Sequence, residues 1–192
     1  VAPTAGPTAY NGAVILAGDV GATKTILGLF ARRGGELVQG REATFPSAGF
    51  PSFEAIVDAF LSEGRERVTA CAVGVAGPVR GGRTEVVNLA WPVDAGTIAR
   101  RIGIGEVVLL NDLEASAWGI PEVPPRRTAS LTPRLPVREG NGALIAAGTG
   151  LGTALLYWDG RRHRPMAGEG GHAGFAPRDD QEVELMRFFE RK

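Results

Sequence analysis

Two stretches of this chain are built on one plan, and that plan limits what it can fold into. AVILAGDVGATKT at 13–25 and GALIAAGTGLGT at 142–153 each run as an apolar strand into a turn of glycine and threonine. A hairpin signal follows each, TILGLFARRGGELVQGREATF after the first and ALLYWDGRRHR after the second. The copies lie about 130 residues apart, which reads as an internal duplication of one strand–turn–hairpin unit.

Helix and strand signals alternate between the copies. In SFEAIVDAFLSEG, Phe53, Ile56, Val57, Phe60 and Leu61 share one helical face, Ser52 caps the start and Gly64 follows the end. VTACAVGVAGP is a buried strand ending at Gly77-Pro78, RTEVVNLAW a further strand, DAGTIARRIG a short capped helix and EVVLLND another strand. LEASAWGI begins the next helix. IPEVPPRRTASLTPRLPVREG carries five prolines and little periodicity, as a long loop or interdomain crossing does. DDQEVELMRFFERK starts as an acid-capped helix, and the sequence stops inside it. The expected organisation is an α/β chain with a flexible leader over 1–12, a small domain over 13–120, a proline-rich crossing over 121–140, and over 141–192 the start of a second α/β domain, opened and not finished.

Composition excludes several classes of function. Lysine plus arginine equals aspartate plus glutamate at 21 each, so nothing in the charge balance attracts nucleic acid or an anionic membrane. No apolar stretch approaches a membrane span, and VAPTAGPTAY lacks the basic start and apolar core of a secretory signal. The lone Cys71 cannot form an intramolecular disulfide and reads as a small buried hydrophobe. A cytoplasmic protein is expected.

GDVGATKT misses the helix-capping phosphate loop G-x-x-x-x-G-K-[ST] at one position, where Thr23 stands for the second glycine. The succeeding residues, Thr25-Ile26-Leu27-Gly28-Leu29-Phe30 and then Gly34-Gly35, suit a hairpin better than a helix. A carboxylate inside a phosphate cradle also repels its ligand unless a divalent cation stands between them. The local reading is a strand–turn–strand loop in which Asp19 faces a hydrated Mg²⁺, Gly21 permits the tight backbone, and Thr23 and Lys24 donate to phosphate oxygens. A plain β-turn with an incidental acid is the alternative. The second turn, AAGTGLGTAL, lacks the G-x-G-x-x-G spacing and a following helix, which argues against a dinucleotide site. Two such turns, each after a buried strand, can cup a polyphosphate from opposite sides of a cleft.

Asn111 and Asp112 close an apolar strand, where side chains of open α/β sheets meet a ligand crevice. Locally, a cap by Asp112 on a helix starting at Leu113 is as good a reading as catalysis. Glu169 and His172 lie in the glycine-dense PMAGEGGHAGFAP, which brings backbone close to a ligand and presents a carboxylate and an imidazole together. The other histidine, His163, sits in the basic RRHR and is expected to be solvated.

Taken in order, GDVGATK, LLNDLEASAWGI, AAGTGLGTAL and GEGGHAGFAP resemble the bacterial glucokinases of the hexokinase type, within the actin-like ATPase superfamily. The resemblance runs from about Val14 to the C-terminus and explains the duplication, since that superfamily pairs two ribonuclease-H-like domains around an ATP cleft. It implies that Asp19 orients Mg²⁺, that Gly21, Ala22, Thr23 and Lys24 form the first phosphate segment, and that Gly148, Thr149 and Gly150 form the second. It implies Asp112 as general base on the sugar 6-hydroxyl, Asn111 on neighbouring hydroxyls, and Glu169 and His172 on hydroxyls near the anomeric end. The ligands implied are glucose, or a similar hexose, and ATP, with a homodimer as the implied assembly.

Ala22 stands where many relatives have glycine, and Ala173-Gly174 replace a common Val-Asp. The cysteine-rich zinc motif of the repressor/ORF/kinase sugar kinases is absent. Family chains are much longer, and their remainder supplies the adenosine-binding segments, another sugar-binding glutamate and much of the large domain. Little or no turnover is therefore expected of 192 residues alone. A non-catalytic sugar-binding remnant and a kinase for another hexose stand as alternatives.

Overall fold

The computed structural model describes residues 13–85, 89–132, 139–148 and 150–191. The expected leader at 1–12, most of the crossing's second half and Thr149 lie outside the described residues.

Strands β1 (Val14–Val20), β2 (Lys24–Arg33) and β3 (Glu36–Pro46) form an antiparallel meander, as the sequence predicts. Helix α1 (Phe53–Ser62) follows, its Ala55 N–H bonded to the Ser52 hydroxyl at 3.2 Å. Strand β4 (Val68–Val75) returns parallel to β1. Short strands β5 (Arg83–Glu85) and β6 (Pro92–Asp94) make a separate two-stranded ribbon. Of the strand expected over RTEVVNLAW, Arg83–Glu85 is strand, 86–88 lie outside the described residues, and 89–91 are not strand. Helix α2 (Ala95–Ile102) is capped by Asp94 and ends on the left-handed Gly103, φ 78°. Strand β7 (Val107–Asn111) joins β4 in parallel and runs directly into α3 (Asp112–Gly119). The sheet order is β3-β2-β1-β4-β7.

Pleating sends alternate residues of β1 to opposite faces. The even face packs on α1: a Cβ built on Gly18 would lie 3.2 Å from Leu27 and Val73 and 3.4 Å from the Phe53 ring. Leu16, Leu27, Leu29, Phe53, Ile56, Phe60, Val73, Val75 and Ile98 are fully buried there, so α1 and α2 close one side of the sheet. The odd face carries Asp19, whose register partner on β4 is Gly74. A Cβ on Gly74 would lie 3.1 Å from Ala115 Cβ, so α3 covers that opposite side.

The proline-rich segment holds two short 3-10 turns, Ile120–Glu122 and Pro125–Arg127. Beyond it, β8 (Gly142–Ala147), β9 (Leu151–Trp158) and β10 (His163–Gly168) form a second antiparallel meander, followed by α4 (Asp180–Glu190). The order strand, glycine turn, strand, hairpin, strand, 3-10 turn, helix is that of β1 to α1 repeated. Helix α3 bridges the halves, for Leu113 fills the space above Gly152 of β9, where a Cβ would lie 2.9 Å away. Ile145, Leu155, Tyr157 and Met166 of the second sheet remain exposed, as do Leu185, Phe188 and Phe189 of α4. His163 is exposed, as expected, but stands at the start of a strand and not in the turn. It begins β10, tilts against the Trp158 ring at 5.0 Å and bonds through Nε2 to Gly140 O at 2.9 Å.

Candidate functional site

The first glycine turn is a strand–turn–strand loop with no helix behind it. Gly21 N–H donates to Lys24 O at 3.0 Å, closing the turn, and Lys24 already belongs to β2. Thr23 and Lys24 are exposed, with side chains free to meet a ligand. Two groups that sequence reasoning passed over hold this turn from beneath. The buried Ser47 hydroxyl donates to Gly21 O at 2.7 Å and lies 2.9 Å from the buried Thr25 hydroxyl, while Ser47 N–H donates to Thr23 O at 3.1 Å. Their only local signal is a polar residue in an alternating strand and a serine in a proline-flanked loop.

Asp19 and Asp112 come together because β1, β4 and β7 are parallel neighbours and α3 starts at the end of β7. Gly74, opposite Asp19, would place a Cβ 3.7 Å from Asp112 Cα. Water reaches the Asp19 side chain, yet partial burial first, and the Asp112 charge second, raise its carboxyl above the usual carboxylate range. The nearby Lys24 ammonium pulls in the other direction. Two acids pushing on one another with one cation beside them favour a bound divalent cation, which relieves the repulsion. Among the described residues no three His, Cys, Asp or Glu form a ready-made cage.

The helix cap proves to be Asn111, a correction to the local reading of Asp112. Asn111 is extended at φ −62°, ψ 149°, and its Oδ1 accepts from Leu113 N–H at 3.0 Å and Glu114 N–H at 3.4 Å. Its Nδ2 donates to Gly77 O at 3.2 Å, leaving one amide hydrogen for a ligand. Asp112 occupies the first helical position. Its Oδ1 also accepts from Leu113 N–H at 2.9 Å, and the positive end of the helix favours acids in this first turn.

In the second turn Gly148 N–H donates to Gly150 O at 2.9 Å, and a Cβ on either glycine would meet nothing within 4 Å. That open backbone is accessible to a ligand; Thr149 lies outside the described residues. The GEGGH loop leaves β10 as a 3-10 turn over Gly170–His172. Glu169 Oε2 and His172 Nε2 stand 3.6 Å apart, with side chains 77% and 86% exposed, so packing gives them no reason to be there. Contacts link this loop to the acid: Leu113, next to Asp112, packs on Gly152, and the adjacent Thr153 hydroxyl accepts Gly170 N–H at 3.0 Å. Contacts through Leu113, Gly152 and Thr153 thus run from the first turn of α3 across β9 to the loop that carries Glu169 and His172.

Sheet order, the repeated meander and the bridging helix define an actin-like ATPase fold of the sugar-kinase kind. A glucokinase solved from an Antarctic psychrotroph superposes with a TM-score of 0.78 at 24% identity, covering 94% of this chain and 57% of that one. A ROK family glucokinase from Streptomyces griseus, solved with glucose and AMPPNP, gives 0.55 at 26% identity, covering 85% and 51%. The chain belongs to the glucokinase family, whose profile matches residues 16–192. The glucokinase of Nostoc punctiforme is 34% identical over 177 residues, and that of Yersinia pestis (strain Pestoides F) 32% over 171. These alignments take in 91% and 89% of this chain and 52% of each relative, so the chain spans about half the length of the curated relatives it matches. No helix among the described residues is long and apolar enough to cross a membrane.

Proposed function

We propose that this fold serves ATP-dependent phosphorylation of glucose at the 6-hydroxyl. The observation that carries the reading is the Asp19–Asp112 pair beside the exposed Thr23–Lys24 turn, in a chain of the glucokinase family. Asp112 accepts the proton of the attacking hydroxyl. An ordinary carboxylate suffices, because the proton leaves late, as the hydroxyl becomes acidic in the transition state. Asn111 fixes Asp112 by capping α3 and offers its remaining amide hydrogen to a neighbouring hydroxyl. Glu169 and His172 bind hydroxyls near the anomeric end and reject sugars lacking them, since the site's polar groups would be left unpaired.

Gly21, Ala22, Thr23 and Lys24 hold phosphate oxygens from one side, and Gly148, Thr149 and Gly150 from the other. Asp19 would hold Mg²⁺ through water, and the ion would supply charge neutralisation at the phosphates. The setting is cytoplasmic, and the assembly a homodimer.

Calorimetry with glucose and then Mg-ATP, beside a coupled assay of glucose 6-phosphate formation, tests this reading. Binding of both ligands by this chain supports it; in a full-length relative the change corresponding to Asp112→Asn is expected to abolish phosphorylation while glucose binding persists, and near-normal turnover there removes Asp112 from the base role. Glucose bound without turnover would instead fit the reading of a non-catalytic sugar-binding remnant. Calorimetry with no heat from either ligand would sink both readings.

A further inference from the structure

The two halves of the repeat share a device. In the first, Thr25 lies on β2 just past the glycine turn, and its hydroxyl meets that of Ser47, which opens the 3-10 turn after β3. In the second, Thr153 lies on β9 just past the glycine turn, and its hydroxyl accepts from Gly170, which opens the 3-10 turn after β10. Each threonine thus ties the start of the second strand to the turn leaving the third. The two ties differ in what they hold. The first holds a loop leading into α1, and the second holds Glu169 and His172.

The fit around Thr153 is close. A Cβ on Gly168 would lie 3.3 Å from the Thr153 hydroxyl oxygen, one on Gly170 3.2 Å from it, and one on Gly171 only 1.6 Å from Leu151 O. The glycines let the loop lie flat on β9, backbone to backbone, and the Thr153 hydroxyl supplies a directional bond at its centre. Without that acceptor the Gly170 N–H has to turn to water, and the peptide between Glu169 and Gly170 turns with it.

We infer that Thr153 is a positioning residue for sugar recognition: its hydroxyl fixes the Glu169–His172 loop to the strand that leads out of the second glycine turn. Recognition of the sugar and placement of the phosphate thereby share one rigid element. The inference rests on the reading of Glu169 and His172 as sugar ligands.

Three forms of the 192-residue chain separate the possibilities: the parent, Thr153→Val, which keeps shape and loses the acceptor, and Thr153→Ser, which keeps the hydroxyl. Amide hydrogen exchange at Gly170, followed by NMR, reads the tie itself, and glucose calorimetry reads its consequence. Expected for Thr153→Val are exchange at Gly170 about tenfold faster and glucose binding about tenfold weaker, the scale of one neutral hydrogen bond, with Thr153→Ser restoring both. Unchanged exchange in Thr153→Val would overturn the tie. Faster exchange with unchanged glucose affinity would overturn the positioning role. If the parent itself binds no glucose, the sugar reading of Glu169 and His172 fails and the positioning role with it, while the exchange data still decide whether Thr153 holds the loop.

Discussion

Ala115 Cβ stands 3.1 Å from the point where a side chain on Gly74 would begin, and this contact sets how closely α3 lies on the small sheet. Asp112 Cα is 3.7 Å from the same point. The close approach of helix to strand is therefore what brings the acid of α3 beside the acid of β1.

Widening that contact separates the two acids. Gly74→Val has to push α3 outward against Asp112 backbone, so it is expected to cost about 1–3 kcal/mol, the range of overpacking. Gly74→Ala needs a shift of a few tenths of an ångström and should cost less. Urea unfolding of both variants checks this. A Val variant as stable as the parent would mean that α3 is not seated by this glycine.

Asp19 is a group that folding disfavours in its charged form. Its carboxyl is raised from 3.8 by partial burial and by Asp112, so the folded chain holds the proton more tightly than the unfolded chain does. Stability then falls as pH rises from 3.8 through the raised value. Asp19→Asn should consequently melt higher than the parent at pH 7, with the advantage shrinking as pH approaches 3.8. Melting curves across that range decide it, and a variant less stable at pH 7 would show that Asp19 contributes through contacts instead.

Sequence reasoning reached the elements whose causes are local. The hairpins at Arg33–Glu36 and after Trp158, the Ser52 cap, and the face of Phe53, Ile56, Val57 and Phe60 all stand as expected. Asn111 against Asp112 as the cap was not decidable locally, because both types cap helices and Oδ1 of each reaches Leu113 N–H. What settles it is Gly77, whose carbonyl holds the Asn111 amide from 34 residues away. The Thr25–Ser47 pair spans 22 residues and was likewise out of reach of any short window. The four site segments were legible as segments; their assembly depends on β1, β4 and β7 lying parallel and on glycines at 74 and 152, which pattern alone does not place.

Cys71 should be inert in the folded chain. It lies in β4, is 4% exposed, and burial pushes its thiol up to about 12, so almost no thiolate forms at neutral pH. Ellman's reagent is expected to leave it unmodified under native conditions and to react stoichiometrically in urea. Rapid labelling without denaturant would show that β4 opens far more readily than its packing indicates.

Ser47 is the pin beneath the first phosphate turn. Its hydroxyl joins the Thr25 hydroxyl at 2.9 Å and Gly21 O at 2.7 Å, and both side chains are fully buried. Ser47→Ala leaves a buried hydroxyl and a carbonyl short of a partner, at a cost of about 1–3 kcal/mol. Thr25→Val added to it removes the stranded hydroxyl, so the double variant should be more stable than the two single losses summed. Urea unfolding of the four proteins closes this cycle, and strict additivity would mean that the pair is not coupled. Because the Ser47 hydroxyl holds Gly21 O in the turn, Ser47→Ala should also weaken Mg-ATP binding in calorimetry while glucose binding stays unchanged.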